Sequence, residues 1–153
     1  MPDLTHHTES DDTGRIRQRF SLADGLLDGD LVQFDELGNV AAVMPHAAGK
    51  LHGVARYYDR GRLQLQLEYR DGVQDGETVI FGENGAPVMT AQYAGGLLHG
   101  LSSWYRPDGS LLRTAQYMDG MLEGESLDYD ERGRVTARAL YRSDKLEPAK
   151  ARR

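Results

Sequence analysis

The chain repeats itself with a period of 24 residues. The segments beginning at Gly76, Gly100 and Gly124 read GETVIFGENGAPVMTAQYAGGLLH, GLSSWYRPDGSLLRTAQYMDGMLE and GESLDYDERGRVTARALYRSDKLE, and they align without a gap. An aromatic recurs at Phe34, Tyr57, Phe81, Tyr105 and Tyr129, a mid-repeat glycine at Gly38, Gly61, Gly85, Gly109 and Gly133, and a second aromatic at Tyr69, Tyr93, Tyr117 and Tyr141. His46 takes the place of that tyrosine in the earliest copy. Self-similarity at such a spacing marks an architecture made by stacking one short supersecondary unit, because a single unit of this size cannot bury its own apolar face.

Two irregularities help to place the ends. The copy starting at Gly53 is one residue short before Tyr57, as if its first strand had lost a residue; Tyr58 offers an alternative aromatic, and a bulge would absorb the difference. Gly14, Leu22, Gly25 and Gly29 match the second half of a unit. At the other end Asp144 and Pro148 occupy glycine positions, as an end cap would. The expected organisation is therefore a disordered tail over 1–12 and a repeat domain over 13–148. That domain holds a half-unit at 14–28 and repeats starting near 29, 53, 76, 100 and 124, and a basic mobile terminus follows over 149–153.

Within a unit the glycine-bounded segments are too short for helices and alternate with period two. Leu63, Leu65, Leu67 and Tyr69 fall on one side of such a segment, and Gln64, Gln66 and Glu68 on the other. The dipeptides Asp71-Gly72, Asn84-Gly85, Asp108-Gly109 and Asp119-Gly120 suit tight hairpin turns at positive φ. The expected fold is all-β, a single-layer antiparallel β-meander of stacked hairpins with about eleven strands. At ~4.8 Å per strand it would run ~50 Å, curved and elongated.

Composition closes off several chemistries. The chain has 153 residues, enough for one ordinary domain. Its apolar content of 39% and its 18 glycines argue against a thick core. With no cysteine there is no disulfide framework, thiolate metal site or cysteine nucleophile. The acidic opening MPDLTHHTESDD is unlike a signal peptide, and no apolar run approaches the ~20 residues of a membrane span, so a soluble, cytoplasmic protein is expected. A net charge of −6 disfavours nucleic acid and anionic membranes and favours a basic partner.

The hairpin units YRDGVQDGETVIFGENG, YAGGLLHGLSSWYRPDG and YMDGMLEGESLDYDERG resemble the MORN repeat, and most of all its bacterial variant. The resemblance runs from about Gly14 to Leu146. It implies a repeat sheet that serves in scaffolding, dimerisation or lipid contact. For the bacterial variant it also implies an antitoxin-like or immunity-like role, and it brings no catalytic residues or cofactor.

No constellation of residues points to catalysis. The acids Asp128, Asp130 and Glu131, and Glu123 with Glu125, have no pocket that sequence reveals, no Gly-x-Ser-x-Gly surrounds a serine, and the glycines belong to turns rather than to a phosphate cradle. His52 and His99 occupy one repeat position, ~19 Å apart across four strands, too far to share a metal. His6 and His7 lie in the expected tail, where only adventitious metal binding is foreseen. No catalytic, cofactor or metal residue is therefore expected. Trp104 should point away from Tyr105; beside Ile80 and Leu112 it reads either as an exposed anchor for a partner or as a residue packed under a loop. Arg56, Arg106, Arg113, Arg138 and Arg142 are spread so that some would stack on the tyrosines.

The expectation is thus a non-enzymatic interaction module that binds a protein partner, most specifically a basic toxin, through Trp104, Tyr69, Tyr93, Tyr117, Tyr141 and Arg113. The alternatives are a self-associating scaffold, down to a homodimer, and a peripheral lipid binder.

Overall fold

A computed structural model describes residues 1–149. The chain forms two compact units, Met1–Gly76 and Glu77–Arg153. The first holds β1 (Leu4–Ser10), β2 (Ile16–Ala23), β3 (Leu26–Leu27), β4 (Gly29–Phe34), β5 (Val40–Ala47), β6 (Lys50–Leu51), β7 (Gly53–Asp59) and β8 (Arg62–Arg70). The boundary falls within β9 (Val73–Phe81). The second unit continues with β10 (Pro87–Ala94), β11 (Leu97–Leu98), β12 (Gly100–Tyr105), β13 (Leu111–Met118), β14 (Met121–Tyr129), β15 (Val135–Arg142) and β16 (Lys145–Leu146). The described residues form no helix, and the sheet is an antiparallel meander that does not close. Strand order is β1-β2-β4-β5-β7-β8 in the first unit and β10-β12-β13-β14-β15-β16 in the second.

The described residues form sixteen strands rather than about eleven. Of the extra strands, β3, β6 and β11 are the opening residues of β4, β7 and β12, each cut off by one irregular residue: Asp28, His52 or His99. In β9 and β14 the same stretch runs unbroken. The two-residue β16 follows the last hairpin and leads to Glu147. The remaining extra strand is β1, which replaces the disordered tail expected over 1–12. It pairs with β2 from Leu4 opposite Ala23 to Ser10 opposite Ile16, since Thr5, His6, His7 and Thr8 supply a strand edge without needing an apolar face. Of the terminus expected to be mobile over 149–153, all but Ala149 lies outside the described residues.

Two kinds of turn link the strands. Asp71-Gly72 and Asp119-Gly120 have φ of +48°/+83° and +49°/+85°, the conformation that continues the right-handed twist of the strands. Asn84-Gly85 and Asp108-Gly109 differ from the tight turns expected, because only the glycine has positive φ there. These belong to five-residue turns, as in Arg106–Ser110, where Arg106 N–H donates to the Ser110 carbonyl and Gly109 N–H to the Arg106 carbonyl, at 2.8 and 2.9 Å. The Asn84 and Asp108 carboxamide and carboxylate oxygens accept the N–H of Ala86 and Ser110 instead.

The short repeat is explained by its turn. Register breaks between Tyr57 and Tyr58 just as it does between Trp104 and Tyr105, with Gly53 opposite Tyr69 and Gly100 opposite Tyr117. The first strand of that copy is therefore complete, and Tyr58 is the partner of Tyr105 in the repeat, in place of Tyr57. The missing residue comes from the turn, where Arg60 and Gly61 both take positive φ in a two-residue connection.

Burial centres on small side chains. Ala55 and Ser102, at one repeat position, are 0% exposed, and Ala91 and Ala115, at another, are 2% and 3% exposed. In the second unit Ser102, Ala115, Ser126 and Ala139 lie directly opposite one another across β12–β15. On the same face they are flanked on one side by a row of Met89, Trp104, Arg113, Asp128 and Ala137, and on the other by Tyr117 and Tyr141. Diagonal neighbours on a sheet are within reach of aromatic and long side chains, so the flanking rows cover the small ones.

Candidate functional site

Alternation along β12 separates the aromatic residues onto two faces. Gly100, Ser102 and Trp104 share one face with Tyr117, and Tyr93 and Tyr141 follow on that face through their pairing with Leu98 and with Gly124 and Leu146. Leu101, Ser103 and Tyr105 point the other way. Trp104 therefore stands with the Tyr93, Tyr117 and Tyr141 column. Tyr69 occupies the corresponding position in the first unit, opposite Gly53. Trp104 and Arg113 are directly opposed and, with Leu112 and Asp128, line a cavity of about 400 Å³.

Arg113 is committed to a neighbour rather than to a tyrosine. Its Nε and Nη2 donate to the two Asp128 oxygens at 2.5 and 3.0 Å. That bond, with the attraction between the charges, raises the Arg113 pKa and lowers that of Asp128. Other arginines expected on the tyrosine column are likewise engaged: Arg138 with Glu125, Arg142 with Glu147, and Arg106 with the carbonyls of Leu111 and Tyr129. Among the described residues a cation–π contact lies elsewhere, with the Arg19 guanidinium 4.9 Å from the centre of the Phe34 ring.

The opposite face of the second unit holds the features that sequence reasoning missed. Tyr105 and Tyr129, with Leu101, Leu111 and Leu127 around them, line a cavity of about 680 Å³. Each tyrosine leans on the strand before it, the Tyr105 hydroxyl 3.4 Å from Thr90 Oγ1 and the Tyr129 hydroxyl 3.3 Å from Thr114 Oγ1. Exposed apolar residues continue this face: Leu97, Leu101, Met118, Met121 and Leu140, of which Met118 is 52% and Leu101 42% exposed. A signal for it was present in the sequence, because Thr90–Tyr105, Thr114–Tyr129 and Arg19–Phe34 share one spacing of 15 residues.

The polar clusters hold the fold together. Glu123 accepts the Ser143 N–H at 2.7 Å, Glu125 pairs with Arg138, and Asp128 pairs with Arg113. Asp130 is held low chiefly by the N–H of Arg134. His52 and His99 each accept, through Nδ1, the backbone N–H of the next turn, from Asp71 at 3.2 Å and Asp119 at 3.4 Å, which is the task Glu123 performs for Ser143. His6 and His7 alternate to opposite faces of β1: His6 bonds Ser21, while His7 stacks on Phe20 with ring centres 5.0 Å apart. Among the described residues no three His, Cys, Asp or Glu side chains gather as metal ligands would. Among the described residues no helix is long and apolar enough to cross a membrane.

Comparison with known proteins agrees with the repeat. No curated protein matches the chain significantly. Solved structures that match include the crystal structure of a GtfA/B complex bound to UDP and GlcNAc, at 15% identity and a TM-score of 0.36. That match covers 55% of this chain and 21% of the other, so the chain spans well under two thirds of its length. The profile of the MORN repeat variant matches residues 98–119, from β11 through the Asp119 turn, and supports a MORN-repeat protein.

Proposed function

We propose that the protein is a non-enzymatic interaction module that binds one partner protein on the Tyr105–Tyr129 face of its second unit. The observation that carries this reading is the apolar surface of Leu97, Leu101, Met118, Met121 and Leu140 around the tyrosine-lined cavity. Exposed apolar residues on one face with aromatic anchors are the chemistry of a binding hot spot. The more specific form of the proposal is an antitoxin or immunity protein that blocks a basic toxin sterically, in keeping with the net charge of −6.

Affinity capture with the tagged protein from its native host, followed by mass spectrometry, tests the reading. One partner at near-equal stoichiometry is expected, retained by Trp104→Ala and lost by a Leu101→Asp, Met118→Asp double variant. Retention by the double variant would overturn the face assignment. Recovery of the chain alone would replace the reading with self-association, and a captured partner that is harmless when expressed alone would remove the toxin.

A further inference from the structure

We propose that the β1–β2 face of the first unit carries a binding site for a tetrahedral oxyanion, specifically a phosphoryl group. Pairing of β1 with β2 places His6 opposite Ser21 and Thr8 opposite Arg19. These four side chains therefore share one face, at the corners of a rectangle about 5 Å across the strands and about 7 Å along them. They line a cavity of about 410 Å³ together with Val32, Phe34 and Val40.

The face offers a guanidinium, an imidazole and hydroxyl groups as donors. Arg19 lies over the Phe34 ring, its guanidinium carbon 4.9 Å from the ring centre, and no ion pair among the described residues occupies it. Ser21 Oγ and His6 Nδ1 are hydrogen bonded at 2.8 Å. With the hydroxyl donating to Nδ1, the ring proton sits on Nε2, which is then a donor with no hydrogen bond to the described residues. The Thr8 hydroxyl adds a third. A guanidinium, an imidazole N–H and a hydroxyl at separate corners of one face suit the several oxygens of a phosphoryl group, whereas a planar carboxylate presents its lone pairs in one plane. Val32, Phe34 and Val40 complete the lining, and His6, Thr8 and Arg19 stay exposed to solvent, where a soluble anion can reach them.

The site runs against the charge around it. Residues 1–76 carry 13 acidic and 8 basic side chains, and Asp30 lines the same cavity. Asp30 thus opposes the anion that Arg19 attracts, and the two residues should act with opposite sign.

The test is titration of isotope-labelled protein with inorganic phosphate at constant ionic strength, using chloride as the control and reading NMR shifts. Saturable shifts at His6, Thr8 and the Arg19 side chain are expected with phosphate and not with chloride. Arg19→Gln should weaken binding at least about tenfold, and Asp30→Asn should tighten it about threefold, each with an otherwise unchanged spectrum. Vesicles with and without a phosphoinositide give the second arm: stronger binding to the phosphoinositide vesicles than to inorganic phosphate assigns the phosphoryl group to a headgroup, and equal or weaker binding assigns it to a soluble phosphate. No saturable shift with either probe, or equal affinity in Arg19→Gln, would overturn the site.

Discussion

Arg113 and Asp128, directly opposed on β13 and β14, form a two-pronged ion pair on the face that also carries Trp104. The pair ties together the row Met89, Trp104, Arg113, Asp128 that borders the buried small residues. The side chains are 54% and 36% exposed, so solvent screens much of the attraction. Arg113→Ala should cost between about 0.2 and 1 kcal/mol in chemical denaturation, with the difference shrinking in high salt. A loss well above this range would mean that the stem of Arg113 matters more than its charge.

Ser102 gives a prediction of opposite sign. It is fully buried, and its hydroxyl has no protein partner. Burying an unsatisfied hydroxyl costs about 1–3 kcal/mol, and the first unit already places Ala55 at this repeat position with the same complete burial. Ser102→Ala should therefore stabilise the protein by about 1 kcal/mol, read as a higher Tm. A lower Tm would show that the hydroxyl is satisfied in solution.

Much of the hairpin fold was legible because its signals are local. Asp71-Gly72 and Asp119-Gly120 specify their turns within two residues, and the Tyr93, Tyr117 and Tyr141 column follows from period-two alternation. The face of Tyr105 was harder to read, because a register shift beside Trp104 separates the two aromatics by a bulge whose position depends on the opposing strand. β1 was invisible for a related reason. Its seven residues are all exposed, so no apolar face is required and no hydrophobic pattern betrays it; the strand exists through its pairing with β2. Arg113 could be picked out as a residue, but its commitment to Asp128 depends on the β13–β14 register.

The five-residue turns predict the response to acid. Asp108 is lowered below its usual pKa by the Ser110 hydroxyl and N–H, Asp11 first by the Thr13 hydroxyl, and Asp130 first by the Arg134 N–H. At Asp35 partial desolvation pushes upward and is outweighed by bonds from Asn39 and Leu37. A carboxylate with a depressed folded-state pKa contributes stability above its unfolded value and loses it as pH falls through the folded one. Stability should thus drop as pH goes below about 4, with no contribution from these groups to any change between pH 5 and 8. Denaturant midpoints at pH 3 and 6 check this: Asp130→Ala should lower the midpoint at pH 6 and reduce the gap between the two.

Gly100 sits where β12 begins, opposite Tyr117, with φ of +115°. Few residues with a side chain adopt that backbone conformation, and a Cβ there would meet Gln92 Cβ at 3.3 Å. Gly124 repeats the arrangement, with φ of +107° and Gln116 Cβ at the same distance. Backbone strain and crowding act together, so Gly100→Ala should destabilise the protein by about 1–3 kcal/mol. Gly109, at φ of +88°, has nothing within 4 Å of its would-be Cβ and lies in an exposed turn. Gly109→Asn removes the crowding and uses a residue that tolerates positive φ, so it should cost well under about 1 kcal/mol. A loss in Gly100→Ala no larger than that in Gly109→Asn would show that neither backbone strain nor the approach of Gln92 opposes a side chain at Gly100.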